Sequence, residues 1–300
     1  MSPSPARQRA PGTIDDLVAD AAGMGQTVTP RLVTDWVAHG LLDSGPRRSA
    51  GQGKGSDKAL FSSNQRQLFQ VLIQKRSETN RLAHLTTIPL VLWAYWGDDY
   101  VPTRQAAKAL ETSLESREQP KIRAEKKARE LVEQVRHTDA SPTSVNRLRR
   151  LVTETLTAGR IKDPQDLERT FTKVFDPHSV GRRILPGIDI GISVSPTQVV
   201  GAAMMRERAI TAFLGKRVTT DHLDRVRIEL QETFVEYAQR SPLYVALSGQ
   251  RLVDVAVHHE FQRLADGIVP NIWLVLGALL ATERQGASKP PRQTLAGLVQ

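Results

Sequence analysis

Two helix start signals, Thr13 and Thr29-Pro30, stand so close together that one helix must end and the chain must reverse within a few residues. Thr13 is placed to cap a helix whose first turn holds Asp15 and Asp16, where carboxylates favour the positive end of the helix dipole. Ile14, Leu17, Val18 and Ala21 fall at helical spacing and supply one apolar face, and Gly23 to Gln26 ends the helix. Thr29 then caps a second helix with proline at its first position, where the missing N–H costs nothing. Leu32, Val33, Trp36 and Val37 form its buried side, and Gly40 stops it after His39.

The segment from Asp43 to Asp57 holds four glycines and a proline, which excludes regular helix. Ala59-Leu60-Phe61 reads as a short apolar strand, and a longer helix begins near Ser62 or Ser63 with Leu68, Phe69, Leu72 and Ile73 on its inner face. Helix, tight turn, helix, glycine-rich hairpin, short strand and helix is the element order of a winged helix-turn-helix. Residues 13–81 are therefore expected to form such a domain.

Within that class the residues resemble the DNA-binding domain of the MerR family. The resemblance rests on Val28-Thr29-Pro30-Arg31 opening the second helix and Gly40-Leu41-Leu42 closing it, with Arg47-Arg48 entering the wing and Phe61 where the family usually has tyrosine. It covers about 70 of the 300 residues. It implies a dimer on a palindromic site. Thr34, Asp35 and Trp36 stand where the family commonly has an arginine followed by tyrosines, so the resemblance carries the fold rather than particular base contacts.

The remainder reads as helix. Residues 1–12, with Pro3, Pro5 and Pro11 and no apolar run, are expected to be a disordered arm. Residues 82–100 form a strongly apolar connector interrupted by Pro89 and Gly97. Thr103 to Arg136 reads as a long polar helix that Pro120 is placed to break. Ser141-Pro142 starts a helix through Leu156, and further helical patterns fall near 165–175, 197–214, 219–239, 249–265 and 270–283. Ile184 to Ser195 is the other stretch suited to strand. The expected fold is mainly α: an N-terminal winged helix-turn-helix followed by an all-helical domain over 101–300 that oligomerises or binds a partner.

In a winged helix the second helix enters the major groove and the wing tracks the backbone. Burial of the apolar side of that helix leaves Arg31, Thr34, Asp35, Ala38 and His39 facing out. Arg31 has the reach to contact guanine or phosphate; Asp35 suits cytosine N4 or holds Arg31 one turn away. Arg47, Arg48, Lys54 and Lys58 bring cations to the glycine-rich wing. The bland alternative for both groups is a solvated surface. For Lys121 to Arg136, whose Glu125 and Arg129 suit an i, i+4 pair, a salt-bridged solvated face is the favoured reading.

Catalysis and metal binding find little support. The chain has no cysteine, so thiolate zinc sites and cysteine nucleophiles are excluded. His258-His259-Glu260 lacks the spacing of a zinc helix, and Gly51 to Ser56 has the wrong glycine spacing for a phosphate loop. Trp93, Tyr95, Trp96 and Tyr100 suit core or a dimer interface better than a ligand pocket, and Trp273 suits core. No cofactor is expected.

The net charge of +9 favours a polyanionic partner, and the excess sits in the first half of the chain, with residues 1–85 holding 11 Lys/Arg against 7 Asp/Glu and residues 104–150 holding 12 against 7. No secretory signal is legible, and the apolar run Ile272 to Ala281 is short for a membrane span, so a cytoplasmic protein is expected. These features point to a sequence-specific double-stranded DNA-binding protein, a bacterial-type transcription regulator acting as a homodimer, with a protein partner or small-molecule effector left open for its C-terminal domain. The alternatives are an accessory factor for recombination or partition, a protein-interaction scaffold, and an enzyme with its site in the helical domain.

Overall fold

The computed structural model describes residues 10–45, 59–114, 119–178, 195–238 and 259–284. These residues are mainly helical. The helices are α1 (Ile14–Gly23), α2 (Pro30–Ala38), α3 (Ser63–Arg76), α4 (Leu82–Leu85), α5 (Thr87–Trp96), α6 (Thr103–Ser113), α7 (Pro120–Val135), α8 (Pro142–Ala158), α9 (Pro164–Phe175), α10 (Pro196–Leu214), α11 (Thr220–Ala238) and α12 (His259–Arg284). They pack into two compact units, one from residues 1–115 and 219–272, the other from 116–218 and 273–300.

No β-strand occurs among the described residues. The strand expected at Ala59-Leu60-Phe61 is reduced to one antiparallel bridge, in which Gly12 N donates to Phe61 O at 3.0 Å and Phe61 N to Gly12 O at 2.7 Å. Gly45 N also donates to Leu60 O at 3.0 Å, closing the ends of the glycine-rich segment. A ladder needs partners of matching length, and among the described residues only these single residues lie alongside. Residues 46–58, the expected wing, and 179–194, which include most of the other expected strand, lie outside the described residues. Ahead of Thr13, Ala10 O accepts from Arg66 Nη1 at 2.7 Å, which ties the last residues of the expected arm to α3.

The first unit is built around the segment expected to be a connector. Helix α5 is apolar on all sides, and Ile88, Leu90, Val91, Leu92, Trp93 and Ala94 are all buried, as befits a central helix rather than a linker. Pro89 sits in its first turn, where a missing N–H breaks no helical bond, and Gly97 ends it at φ 87°. Helix α6 also joins this unit, in place of the single domain expected over 101–300.

Two buried glutamines tie α3 and α6 to the segment after α2. Gln65 Oε1 accepts from Asp43 N at 2.8 Å, while Gln65 Nε2 donates to Tyr100 O and to Gln105 Oε1, each at 2.8 Å. Gln105 Nε2 in turn donates to Leu41 O at 3.0 Å. Gln65→Leu would orphan several of these buried groups, each costing about 1–3 kcal/mol. A urea denaturation midpoint unchanged by that substitution would contradict the tie.

The second unit is a bundle of α7, α8, α9 and α10. All four start with proline at the first helical position, and Ser141, Asp163 and Ser195 accept from backbone N–H groups of the following turn. Pro120 divides the long helix expected over 103–136, since its ring biases Gln119 away from helical backbone. Ala124, Ala128 and Val132 of α7 meet Val145, Leu148 and Val152 of α8, with Leu167, Phe171 and Val174 of α9 and Val200 and Ala203 of α10 completing the core.

Helix α12 corrects another expectation. The two helical patterns at 249–265 and 270–283 meet in one helix that runs through Pro270. Its buried stripe, Phe261, Ala265, Ile268, Ile272, Val275 and Leu279, keeps helical spacing across the proline. Burying those side chains at about 1.5–3 kcal/mol each for the larger ones outweighs a proline penalty of roughly 3 kcal/mol. Its stretch Phe261–Glu283 spans 23 residues and contains an 18-residue window of mean hydropathy 1.8, long and apolar enough by length and composition to cross a membrane, with half of that window buried in the structure. The apolar element is therefore longer than the run Ile272 to Ala281 alone.

Candidate nucleic-acid interface

Helix α2 is fixed by its buried side and both its ends. Thr29 Oγ1 accepts from Leu32 N at 3.3 Å, with Pro30 at the first position. Val33 and Trp36 are buried, and the Trp36 ring meets Phe69 of α3 edge-on with centroids 5.8 Å apart. Between α1 and α2 the chain turns at Gly25, φ 73°, and Gln26 N donates back to Ala21 O at 2.9 Å.

The exposed side of α2 carries Arg31, Thr34, Asp35 and Ala38, with His39 exposed at its C-cap. Thr34 Oγ1 donates to Pro30 O at 3.1 Å, which leaves its lone pairs to accept. Among the described residues no ion pair engages Arg31 or Asp35, so the internal Arg31–Asp35 clasp allowed by their spacing does not form. Among the described residues the Arg31 guanidinium in the first turn and the Asp35 carboxylate one turn on therefore both lack an ion-pair partner. Arg47, Arg48, Lys54 and Lys58 lie outside the described residues.

The C-terminal end of α2 docks on α6. Gly40 adopts φ 74°, and a Cβ there would collide with the backbone N of Ala109 and lie 2.7 Å from Gln105 O. His39 O accepts from Thr112 Oγ1 at 3.0 Å. Arg104 of α6 grips Asp43 through two hydrogen bonds, Nε to Oδ1 at 3.0 Å and Nη2 to Oδ2. That carboxylate acceptor pushes the Arg104 guanidinium above its ordinary range.

This docking brings beside the exposed side of α2 a cation that the sequence alone did not reveal. Lys108 is exposed, and its Cβ would lie 2.7 Å from a Cβ on Gly40, so the lysine stems from beside the end of α2. No local signal marks it, because it belongs to a different helix far along the chain.

Of the aromatic cluster, Trp93 is core, while Tyr95, Trp96 and Tyr100 are half-buried. Trp93 is buried and its Nε1 donates to Thr103 Oγ1 at 3.2 Å, Trp96 packs against Phe261 with centroids 6.4 Å apart, and burial pushes the Tyr95 phenol up to about 12. A cleft of about 760 Å³ in the same unit is lined instead by Val71, Lys75, His84, Ile88, Phe261 and Val269, among others. Among the described residues no group of three or more His, Asp or Glu is placed to hold a metal ion. His258 lies outside them.

No family model, curated protein or solved structure matches the chain.

Proposed function

We propose that this protein is a sequence-specific double-stranded DNA-binding protein, a transcription regulator whose N-terminal residues form a winged helix-turn-helix of the MerR type. The observation that carries the reading is helix α2. One side of it is buried, its N-terminus is capped, its C-terminus is locked to α6, and Arg31, with no ion-pair partner among the described residues, stands in its exposed first turn beside Thr34 and Asp35. A helix held so firmly presents its outward side chains at a set depth, as base reading in a major groove requires. In this reading the cations Arg47, Arg48, Lys54 and Lys58 contact phosphates, and Lys108 flanks the C-terminal end of the helix.

A single such module makes few base contacts, so the regulator works as a homodimer on a palindromic site in the cytoplasm. The second unit serves the oligomeric assembly or a partner. Arg31 reads a base edge while Lys108 grips the backbone. Arg31→Ala then weakens binding to the preferred duplex by about 1–3 kcal/mol and to a scrambled duplex much less. Lys108→Ala weakens both alike and lowers the slope of log K against log salt by roughly 1. Titration of both duplexes at several salt concentrations reads these effects. Equal losses on the two duplexes for Arg31→Ala would make Arg31 a phosphate contact, and no loss for either variant would refute the interface.

A further inference from the structure

The division into two units redistributes the charge. The unit that contains α1 to α6 carries 18 Lys/Arg against 19 Asp/Glu, whereas the unit that contains α7 to α10 carries 23 against 13. The basic excess of the chain therefore belongs to the helical bundle and not to the unit with the proposed reading helix.

Within the bundle, two ties bring cation-bearing segments to one end. Arg123, near the start of α7, donates to Glu207 Oε2 at 2.6 Å and Thr211 Oγ1 at 3.0 Å, both on the last half of α10. Arg208 of α10 donates to the O of Gly159, the residue that ends α8, at 2.8 Å. The start of α7, the α8–α9 turn and the end of α10 thus share an end. Lys121, Arg160, Lys162, Lys216 and Arg217 sit on those three segments, all exposed, and no ion pair engages any of them among the described residues. The exposed acids on the same segments are Glu125 and Asp163.

One of these cations occupies a strained position. Lys216 has φ 56°, the only positive φ among the described non-glycine residues. It follows α10 where glycine would be unstrained, and Arg217 N closes the turn by donating to Ala212 O at 2.9 Å. Cations beyond helix C-termini do favour the helix dipole. That benefit does not require the left-handed position, and a glycine there would remove the strain.

We propose that this end of the bundle is a second duplex DNA contact, a sequence-independent clamp on the phosphate backbone. The inference rests on the reading of the protein as a DNA-binding protein and adds to it where much of the non-specific affinity resides. Phosphate contacts release counterions, so each cation removed lowers the salt slope on duplex DNA by about 0.9.

The test uses the full chain with Lys121→Gln, Lys162→Gln and Lys216→Gln combined, and separately Lys216→Gly. Binding to a preferred and a scrambled DNA duplex and to an RNA duplex is titrated at several salt concentrations, and thermal unfolding is followed by circular dichroism. The triple variant is expected to lose about 2–3 from the salt slope on both DNA duplexes, with the preference between them unchanged. Lys216→Gly is expected to raise the melting temperature by about 2–4 °C through relief of the left-handed residue, while weakening both DNA duplexes. Unchanged slopes on DNA in the triple variant overturn the clamp, as does a loss confined to RNA. If the wild type binds every DNA duplex alike and the triple variant loses slope, the clamp stands and sequence-specific regulation fails. If the wild type prefers one duplex through Arg31 and the triple variant keeps its slope, the reverse holds. Wild-type protein without duplex affinity overturns both.

Discussion

Gly40→Ala is expected to destabilise the protein by about 3–5 kcal/mol and, on the proposed function, to cost it DNA binding as the fold is lost. Two costs add at this position. The residue has φ 74°, a left-handed conformation that costs an alanine roughly 1–2 kcal/mol. The new Cβ would also meet the backbone of Gln105 and Ala109, which cannot yield as a flexible side chain does. Relief requires moving α6 away from the end of α2, which strains the hydrogen bonds from Gln105 to Leu41 O and from Thr112 to His39 O. Gly25→Ala is the control. Its φ is 73°, yet nothing lies within 4 Å of its would-be Cβ, so it bears the conformational cost alone, roughly 1–2 kcal/mol. Thermal unfolding of the two variants separates the effects. Equal shifts would mean that α6 does not press on Gly40.

The second large effect lies in the bundle. Arg123 and Glu207 form an ion pair with side chains only 13% and 11% exposed. Arg123→Ala leaves Glu207 charged and largely buried without that partner, a change that costs about 3–5 kcal/mol. Replacing both by apolar residues, Arg123→Met with Glu207→Leu, removes the desolvated charges together. That double variant is expected to fall within about 1 kcal/mol of the wild type or above it. Urea denaturation followed by circular dichroism measures all three, and a double variant as unstable as Arg123→Ala would show that the pair is needed for more than mutual neutralisation.

The helix starts were legible because their causes are local. Thr29-Pro30, Ser141-Pro142 and Asp163-Pro164 each place a capping side chain before a residue that lacks an N–H, and each opens a helix at that proline. The inner faces of α1, α2 and α3 followed from apolar spacing for the same reason, with Leu17, Val33, Trp36, Leu68, Phe69 and Leu72 all buried. Arg31, Thr34, Asp35 and His39 were legible as the exposed remainder of α2. Lys108 was not, because its place beside α2 depends on docking between helices distant in sequence. Nor was the absence of an Arg31–Asp35 clasp, which spacing permits and side-chain conformation decides.

The order of helices and the turn between α1 and α2 are thus properties of the sequence by itself, since caps, prolines and apolar period act within a few residues. What only the tertiary structure decided is membership. Residues 82–100 read as a connector by position but became the core of one unit, because a helix apolar on every side has to be surrounded. Pro270 read as a boundary but lies inside α12, because a continuous buried stripe outweighs one missing hydrogen bond. The basic excess read as belonging to the first half of the chain as a whole, yet that half is divided between the two units, and return of residues 219–272 to the first brings more acids than bases with it and leaves the surplus on the second. Charge adds up over whatever residues pack together, and that set is chosen by long-range contacts rather than by position in the chain.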